Sequence, residues 1–173
     1  MLTALVVLQA IQPSEAPVLE RLLQLYAHDF SEHVALELRA DGSFALPPLE
    51  KWWHGADHFP FFIRADEKLC GFALVRQGSR AGGASEVMDV AEFFVVRGAR
   101  GKGIGRAAAH ELFRHFTGPW EIRVRQSNTA ALHFWSRTLQ AWSGSAVAPR
   151  AFAVDGVDWY VLSVAGTRSA IAR

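Results

Sequence analysis

RGARGKGIGR, residues Arg97–Arg106, lies between the apolar run Phe93-Phe94-Val95-Val96 and a segment with helical spacing from Ile104 to Phe116. Gly101, Gly103 and Gly105 let backbone N–H groups converge on one concavity without Cβ obstruction. The helix that follows aims the positive end of its dipole at the same place. Arg97, Arg100, Lys102 and Arg106 add four cations within ten residues. Physically this is an anion cradle suited to a phosphate or pyrophosphate. It is not a P-loop, which needs G-x-x-x-x-G-K-[ST], because no Ser or Thr follows Lys102. Nor is it G-x-G-x-x-G: Arg106 stands where the last glycine belongs, and that fingerprint would lie on the first βα turn. What remains is R-x-x-G-x-G, Arg100-Gly101-Lys102-Gly103-Ile104-Gly105. On its own this reads equally well as a glycine-rich turn with solvated basic side chains.

Working outward, Val87 to Val96 predicts a strand whose apolar run suits a central position. Gly118-Pro119 closes the helix after the cradle, and Trp120 to Gln126 alternates Ile122 and Val124 with Arg123 and Arg125, as a strand does. Ser127-Asn128-Thr129 supplies capping chemistry for a helix over Ala130 to Leu139. Ser145 to Ala153 and Val157 to Val164, joined by Asp155-Gly156, predict a terminal hairpin. Upstream, Leu2 to Ile11 predicts a first strand, and Pro13 opens a helix with Val18, Leu22, Leu25, Tyr26 and Asp29 at helical steps. A short second helix is predicted around His33 to Arg39. Phe59 to Ala65 and Leu69 to Gln77 predict paired strands, and Gly78 to Ser85 a mobile loop. The order β-α-α-β-β-β-α-β-α-β-β describes an α/β (mixed α+β) fold, a central mixed sheet flanked by helices.

The 173 residues, half of them hydrophobic, suit one domain, placed at residues 1–165, with residues 166–173 as a flexible tail. One cysteine, Cys70, excludes an internal disulfide framework and multi-cysteine zinc sites, and fits an inert core position. A net charge of +1 argues against a general nucleic-acid binder. No apolar run is long enough to span a bilayer, and the apolar N-terminus lacks the basic residues of a signal peptide, since the first is Arg21. These readings predict a cytoplasmic protein with no nucleic-acid or membrane partner.

A second segment decides between the readings of the cradle. Asn128-Thr129-Ala130-Ala131-Leu132-His133-Phe134-Trp135 follows the next strand. In this order and at this spacing, the pair resembles the GNAT superfamily of N-acetyltransferases, over roughly Val87 to Leu139. Glu92-Phe93-Phe94-Val95 and Ala131-x-x-Phe134-Trp135 are similar to a group of bacterial predicted acetyltransferases. The resemblance implies the GNAT fold, with a largely antiparallel twisted sheet. It implies acetyl-CoA as cosubstrate and an amine-bearing acceptor, and leaves a homodimer open. Backbone amides of Arg100, Gly101, Lys102, Gly103, Ile104, Gly105 and Arg106 would hold the pyrophosphate. Phe93, Phe94 and Val95 would hydrogen-bond the pantetheine and polarise the thioester, and Asn128 and Ala131 would line its other side. Trp135 stands where the family often has a tyrosine that protonates the leaving thiolate. Indole cannot give up a proton near neutral pH, so Trp135 is expected to wall the thioester pocket. That departure keeps a second possibility open, a CoA-binding sensor that no longer turns over.

Amine acetylation also needs a group that removes a proton from the amine. Asp89 and Glu92 lie on the strand that enters the cradle. Three residues apart on a regular strand they would face opposite ways, so only one would reach the pocket unless a bulge intervenes. Glu92, nearer the thioester, is the candidate base; a salt-bridged carboxylate on a strand is the competing explanation. The aromatic group Trp52-Trp53-His54 and Phe59-Pro60-Phe61-Phe62 reads as core packing before it reads as an acceptor pocket. His54 and His58 have helical ligand spacing but no third ligand, so no metal site is expected. His28, Asp29, Glu32 and His33 read as a solvated helix face.

Overall fold

Alternation along Phe61–Val75 sorts side chains to two sides of a sheet, and each side is covered by helix. The computed structural model describes residues 4–82 and 84–166. Its strands are β1 (Val6–Ala10), β2 (His58–Ala65), β3 (Lys68–Gln77), β4 (Met88–Val95), β5 (Trp120–Arg125), β6 (Arg150–Val154) and β7 (Val157–Val164). Its helices are α1 (Ala16–Phe30), α2 (Lys51–His54), α3 (Ile104–His115) and α4 (Thr129–Ser143). The sheet runs β1-β2-β3-β4-β5-β7-β6. All neighbours pair antiparallel except β4 and β5, which are joined through α3 and run parallel.

Phe61, Ile63, Ala73 and Val75 share one core with Ala108, Leu112 and Phe113 of α3 and Trp135 and Leu139 of α4. The alternate residues Phe62, Phe72 and Leu74 share the other with Leu19, Leu22 and Leu23 of α1 and with Trp52. Burial of each valine, leucine, isoleucine or phenylalanine here is worth about 1.5–3 kcal/mol, so both layers are held by apolar area. On α1, Leu19 and Leu23 take inward positions while Leu25 is exposed, so the inward face is rotated from the predicted spacing.

Two features of β4 shape the space beside it. Leu74 pairs with Glu92 but Val75 pairs with Val90, so Ala91 is an extra residue, a β-bulge. The β4–β5 ladder holds only Met88, Val90 and the intervening Asp89, opposite Trp120, Ile122 and Glu121. β4 runs on to Val95 and β5 to Arg125 without further pairing, which leaves a wedge between them.

The predicted helix over His33 to Arg39 is not present. Asp41 turns the chain instead: its Oδ1 accepts from the Ser43 N–H at 3.0 Å, Gly42 takes φ +80°, and Leu38 bridges to Phe44. The short helix of this region is α2, further along. The first strand of the terminal hairpin starts at Arg150, later than the predicted Ser145. The predicted loop at Gly78 to Ser85 is tied down where described: the Ser79 Oγ accepts from the Ala81 and Gly82 N–H groups and donates to Glu121. Of the predicted tail, residues 167–173 lie outside the described residues.

The β2–β3 turn uses two residues at positive φ without a glycine, Asp66 at +47° and Glu67 at +66°. The β6–β7 turn meets the same demand with Asp155-Gly156. Left-handed backbone costs a non-glycine residue about 1–2 kcal/mol, of which glycine's extra entropy returns part. Glu67→Gly is therefore expected to stabilise the fold by about 0.5–1 kcal/mol, read as a higher urea midpoint at unchanged slope.

Candidate functional site

The glycine cradle is built by backbone. Gly101 and Gly103 adopt φ +74° and +80°, and Gly103 is the N-cap of α3 with no side chain capping it. The Ala107 N–H is the first of the helix to bond back, to the Gly103 carbonyl at 3.0 Å. The N–H groups of the preceding turn are thus turned outward, and a Cβ on Gly103 would meet nothing within 4 Å. Gly105 serves differently: a Cβ there would come within 3.2 Å of Phe134, so its smallness lets α3 pack on α4.

Not every predicted cradle residue is free. The Arg100 N–H bonds the Arg97 carbonyl at 3.1 Å. Its guanidinium donates to the Val95 carbonyl at 2.7 Å and pairs with Asp29 at 2.5 Å. Arg97 also pairs with Asp29, at 2.9 Å, and Lys102 Nζ donates to the Gly98 carbonyl. Burial pushes the Asp29 carboxyl up, but hydrogen bonds from Arg97 and Arg100 outweigh it and hold the group below the usual range. Asp29, read from sequence as a solvated face, fastens α1 to the cradle. The Arg106 side chain is exposed and makes no hydrogen bond or ion pair among the described residues.

From the cradle an outer cleft of about 680 Å³ runs between β4 and α4. Phe93, Phe94 and Val95 form one wall, and Asn128, Ala131, Phe134 and Trp135 the other. The Val96 N–H bonds β3 at the Cys70 carbonyl, so by antiparallel alternation Phe94 also turns its backbone to β3. Phe93 and Val95 turn theirs into the wedge. Of the three predicted thioester-side residues, Phe94 therefore presents only its flank. Asn128 caps α4, its Oδ1 accepting from the Ala131 N–H at 2.9 Å. Trp135 is buried, with its ring edge-on to Phe93 at 5.1 Å and to Phe134 at 4.9 Å.

On the far side of Phe93 and Trp135 lies an inner cavity of about 450 Å³, between α1, the segment Leu46–Leu49, and the wedge. Both spaces are bounded by Tyr26, Phe30, Phe93, Asn128, Ala131 and Trp135, so they meet there. The bulge at Ala91 brings Asp89 and Glu92 to the same side of the sheet, against the expectation for a regular strand. They do different things. Asp89 is fully buried and clamped by Arg76, at 2.6 Å, and Arg123, at 3.3 Å. Glu92 lines the inner cavity and accepts the Tyr26 hydroxyl on its Oε2 at 2.6 Å. Burial raises the Glu92 carboxyl above the ordinary glutamate value; the Tyr26 bond and the charges of Arg123 and Arg76 pull against this. Burial, and then the Glu92 charge, raise the Tyr26 phenol, which holds its proton firmly.

Sequence reading missed Tyr26, Arg76, Arg123 and Arg125 as site residues. Trp52 lines the inner cavity as well as the core, whereas Phe61 and Phe62 are core alone. His54 ends α2 and His58 begins β2, its ring against Trp52, so the two histidines do not share a helix. Cys70 is buried. Among the described residues no helix is long and apolar enough to cross a membrane.

The Acetyltransferase (GNAT) family profile matches residues 19–139. Comparison with curated proteins gives no match. Among solved structures, an acetyltransferase from Thermus thermophilus superposes with TM-score 0.66 at 18% identity, covering 95% of this chain and 99% of that one. Arabidopsis thaliana NAA60 in complex with acetyl-CoA superposes with TM-score 0.58 at 14% identity, covering 92% and 98%. The spermidine/spermine N-acetyltransferase SpeG from Vibrio cholerae superposes with TM-score 0.58 at 11% identity, covering 92% of each chain. The strand order, the glycine cradle at the head of α3 and the profile match over most of the chain agree: the chain belongs to the GNAT acetyltransferase family.

Proposed function

We propose that the chain is an acetyl-CoA-dependent N-acetyltransferase that moves the acetyl group to a primary amine by direct attack, without an acyl-enzyme. The observation that carries this is the meeting of two spaces at Phe93 and Trp135, one headed by an anion cradle and the other floored by a half-buried carboxylate. The uncapped N–H groups from Gly101 to Arg106 suit a pyrophosphate, and the exposed Arg106 adds charge. The open edge of β4 suits the pantetheine arm, with Asn128, Ala131 and Trp135 opposite. Acetyl-CoA supplies the acetyl group as a thioester, whose carbonyl needs a backbone donor as negative charge develops; Phe93 and Val95 offer the nearest N–H groups.

Glu92 takes the amine's proton, directly or through one water. A carboxyl raised by burial is a better base near neutral pH than an exposed one. Tyr26 holds Glu92 in place; its raised phenol makes it a poor acid. A thiolate is a good leaving group, so the reaction does not depend on a proton from Trp135. Both the placement of Glu92 and this independence favour turnover over a sensor.

Calorimetric titration with acetyl-CoA tests the reading. One-site binding is expected, and Gly103→Glu is expected to weaken it about a hundredfold. That variant forces a side chain to φ +80° and sets a carboxylate in the cradle, a penalty of about 2.7 kcal/mol. A folded wild-type protein that binds neither acetyl-CoA nor CoA would remove the proposal.

A further inference from the structure

The inner cavity carries the wrong charge for a polyamine. Lys51, Arg76, Arg123 and Arg125 line it against a single carboxylate, Glu92. Asp89 behind the wall engages Arg76 and Arg123. Arg125 is left over. Four arginines are partly buried among the described residues, namely Arg64, Arg76, Arg123 and Arg125. Arg64 donates to the Gln9 side chain and to the Glu67 carbonyl, and Arg76 and Arg123 donate to Asp89. The Arg125 side chain makes no hydrogen bond or ion pair among the described residues, and its Nε is buried without an acceptor.

Aromatic contacts hold this guanidinium in place. Its centre lies 5.0 Å from the Trp159 ring and 5.9 Å from the Phe30 ring. Stacking of this kind uses the faces of the group and leaves its in-plane N–H donors unmet. Those donors form a fork that matches a planar carboxylate in two-point contact. A partly buried cation left without an anion is a cost to the fold, unless the site is made for an anionic partner. Phe30 and Trp159 also border the cavity, and the Arg125 charge is felt by the Tyr26 hydroxyl, the group that holds Glu92. The unpaired cation and the proposed base therefore serve one space of about 450 Å³, room for an amino acid or a larger amine.

We infer that the acceptor is an amine that also carries a carboxylate, an amino acid being the smallest such molecule. Arg125 receives the carboxylate and Glu92 faces the amine. This rests on the N-acetyltransferase reading and narrows its substrate class. In the step itself the amine nitrogen bonds the acetyl carbon, the carbon–sulfur bond breaks, Glu92 takes the amine's proton, and the sulfur leaves with the electron pair. A diamine of equal length would bring its second ammonium to Arg125 instead, where like charge repels it.

The test is CoA-thiol release from acetyl-CoA with a panel of α- and ω-amino acids, their carboxamides, and diamines of matching length, alongside calorimetry with acetyl-CoA. At least one amino acid should be acetylated, with kcat/KM about a hundredfold above its carboxamide and the matching diamine. Arg125→Gln should erase that preference through KM, and Arg125→Lys should restore part of it, both with wild-type affinity for acetyl-CoA. The inference is overturned if the diamine or carboxamide is used as well as the acid, or if the preference survives in Arg125→Gln. It is also overturned if the protein binds acetyl-CoA and acetylates no carboxylate-bearing amine. Failure to bind acetyl-CoA at all would instead overturn the acetyltransferase reading, and this inference with it.

Discussion

Glu92→Gln is expected to lower kcat by about 10²–10⁴-fold, equivalent to about 2.7–5.5 kcal/mol, and to leave acetyl-CoA affinity unchanged. Glutamine keeps the shape of the side chain and can still accept the Tyr26 hydroxyl, so the wall of the cavity should survive. What is lost is the ability to hold a proton. The pH dependence separates this from a packing defect. In the wild type, kcat/KM should rise with pH as Glu92 ionises, above the ordinary glutamate range because burial holds the group up. That limb should vanish in Glu92→Gln. Tyr26→Phe gives the opposite control: the Tyr26 bond lowers the Glu92 carboxyl, so its removal should move the limb to higher pH. Activity well above the limb should be largely kept. A Glu92→Gln enzyme with wild-type kcat and an unmoved limb would assign the base elsewhere.

The parts of this site that could be read from sequence are those made by contiguous residues. Glycines at alternate positions, basic residues between them and a helix directly after are enough to specify an anion cradle, because chain connectivity alone sets the geometry. The succession of strands along the chain was legible for a similar reason, since apolar periodicity and turn residues mark each element where it stands. The inner cavity has no such local signal. Tyr26 and Glu92 are 66 residues apart and meet only when α1 lies across β4. The bulge at Ala91 depends on how β3 pairs with β4, and without it Glu92 would face away from Asp89. Alternation along Trp120–Arg125 did put Arg123 and Arg125 on one face. That this face looks into a cavity follows from the β4–β5 ladder stopping at Val90, which neither strand shows alone. Arg100 marks the limit from the other side: the motif named it, but Asp29 and the Val95 carbonyl had already engaged it.

Asp89→Ala is expected to destabilise the protein by about 3–5 kcal/mol. Asp89 has no exposure to solvent, and its carboxylate takes the Arg76 Nε at 2.8 Å as well as both Arg123 contacts at 3.3 Å. Truncation would leave two partly buried guanidinium groups facing one another with no anion between them. Removing the partner of a buried charge costs more than the pair itself contributes, which is why one carboxylate weighs so heavily here. Urea unfolding followed by tryptophan fluorescence would measure it, and a loss under about 1 kcal/mol would show that the arginines find water instead. Asp89→Asn keeps one acceptor oxygen, which can stand where Oδ2 meets both arginines, and should lose less. Its value lies in catalysis. The Asp89 charge holds Glu92 up while the arginines pull it down, so neutralising Asp89 removes the upward push and leaves the downward one. The acid limb of kcat/KM in Asp89→Asn should therefore move to lower pH, opposite to Tyr26→Phe. A limb that stays in place would mean that the two carboxylates, although on one side of β4, do not sense each other.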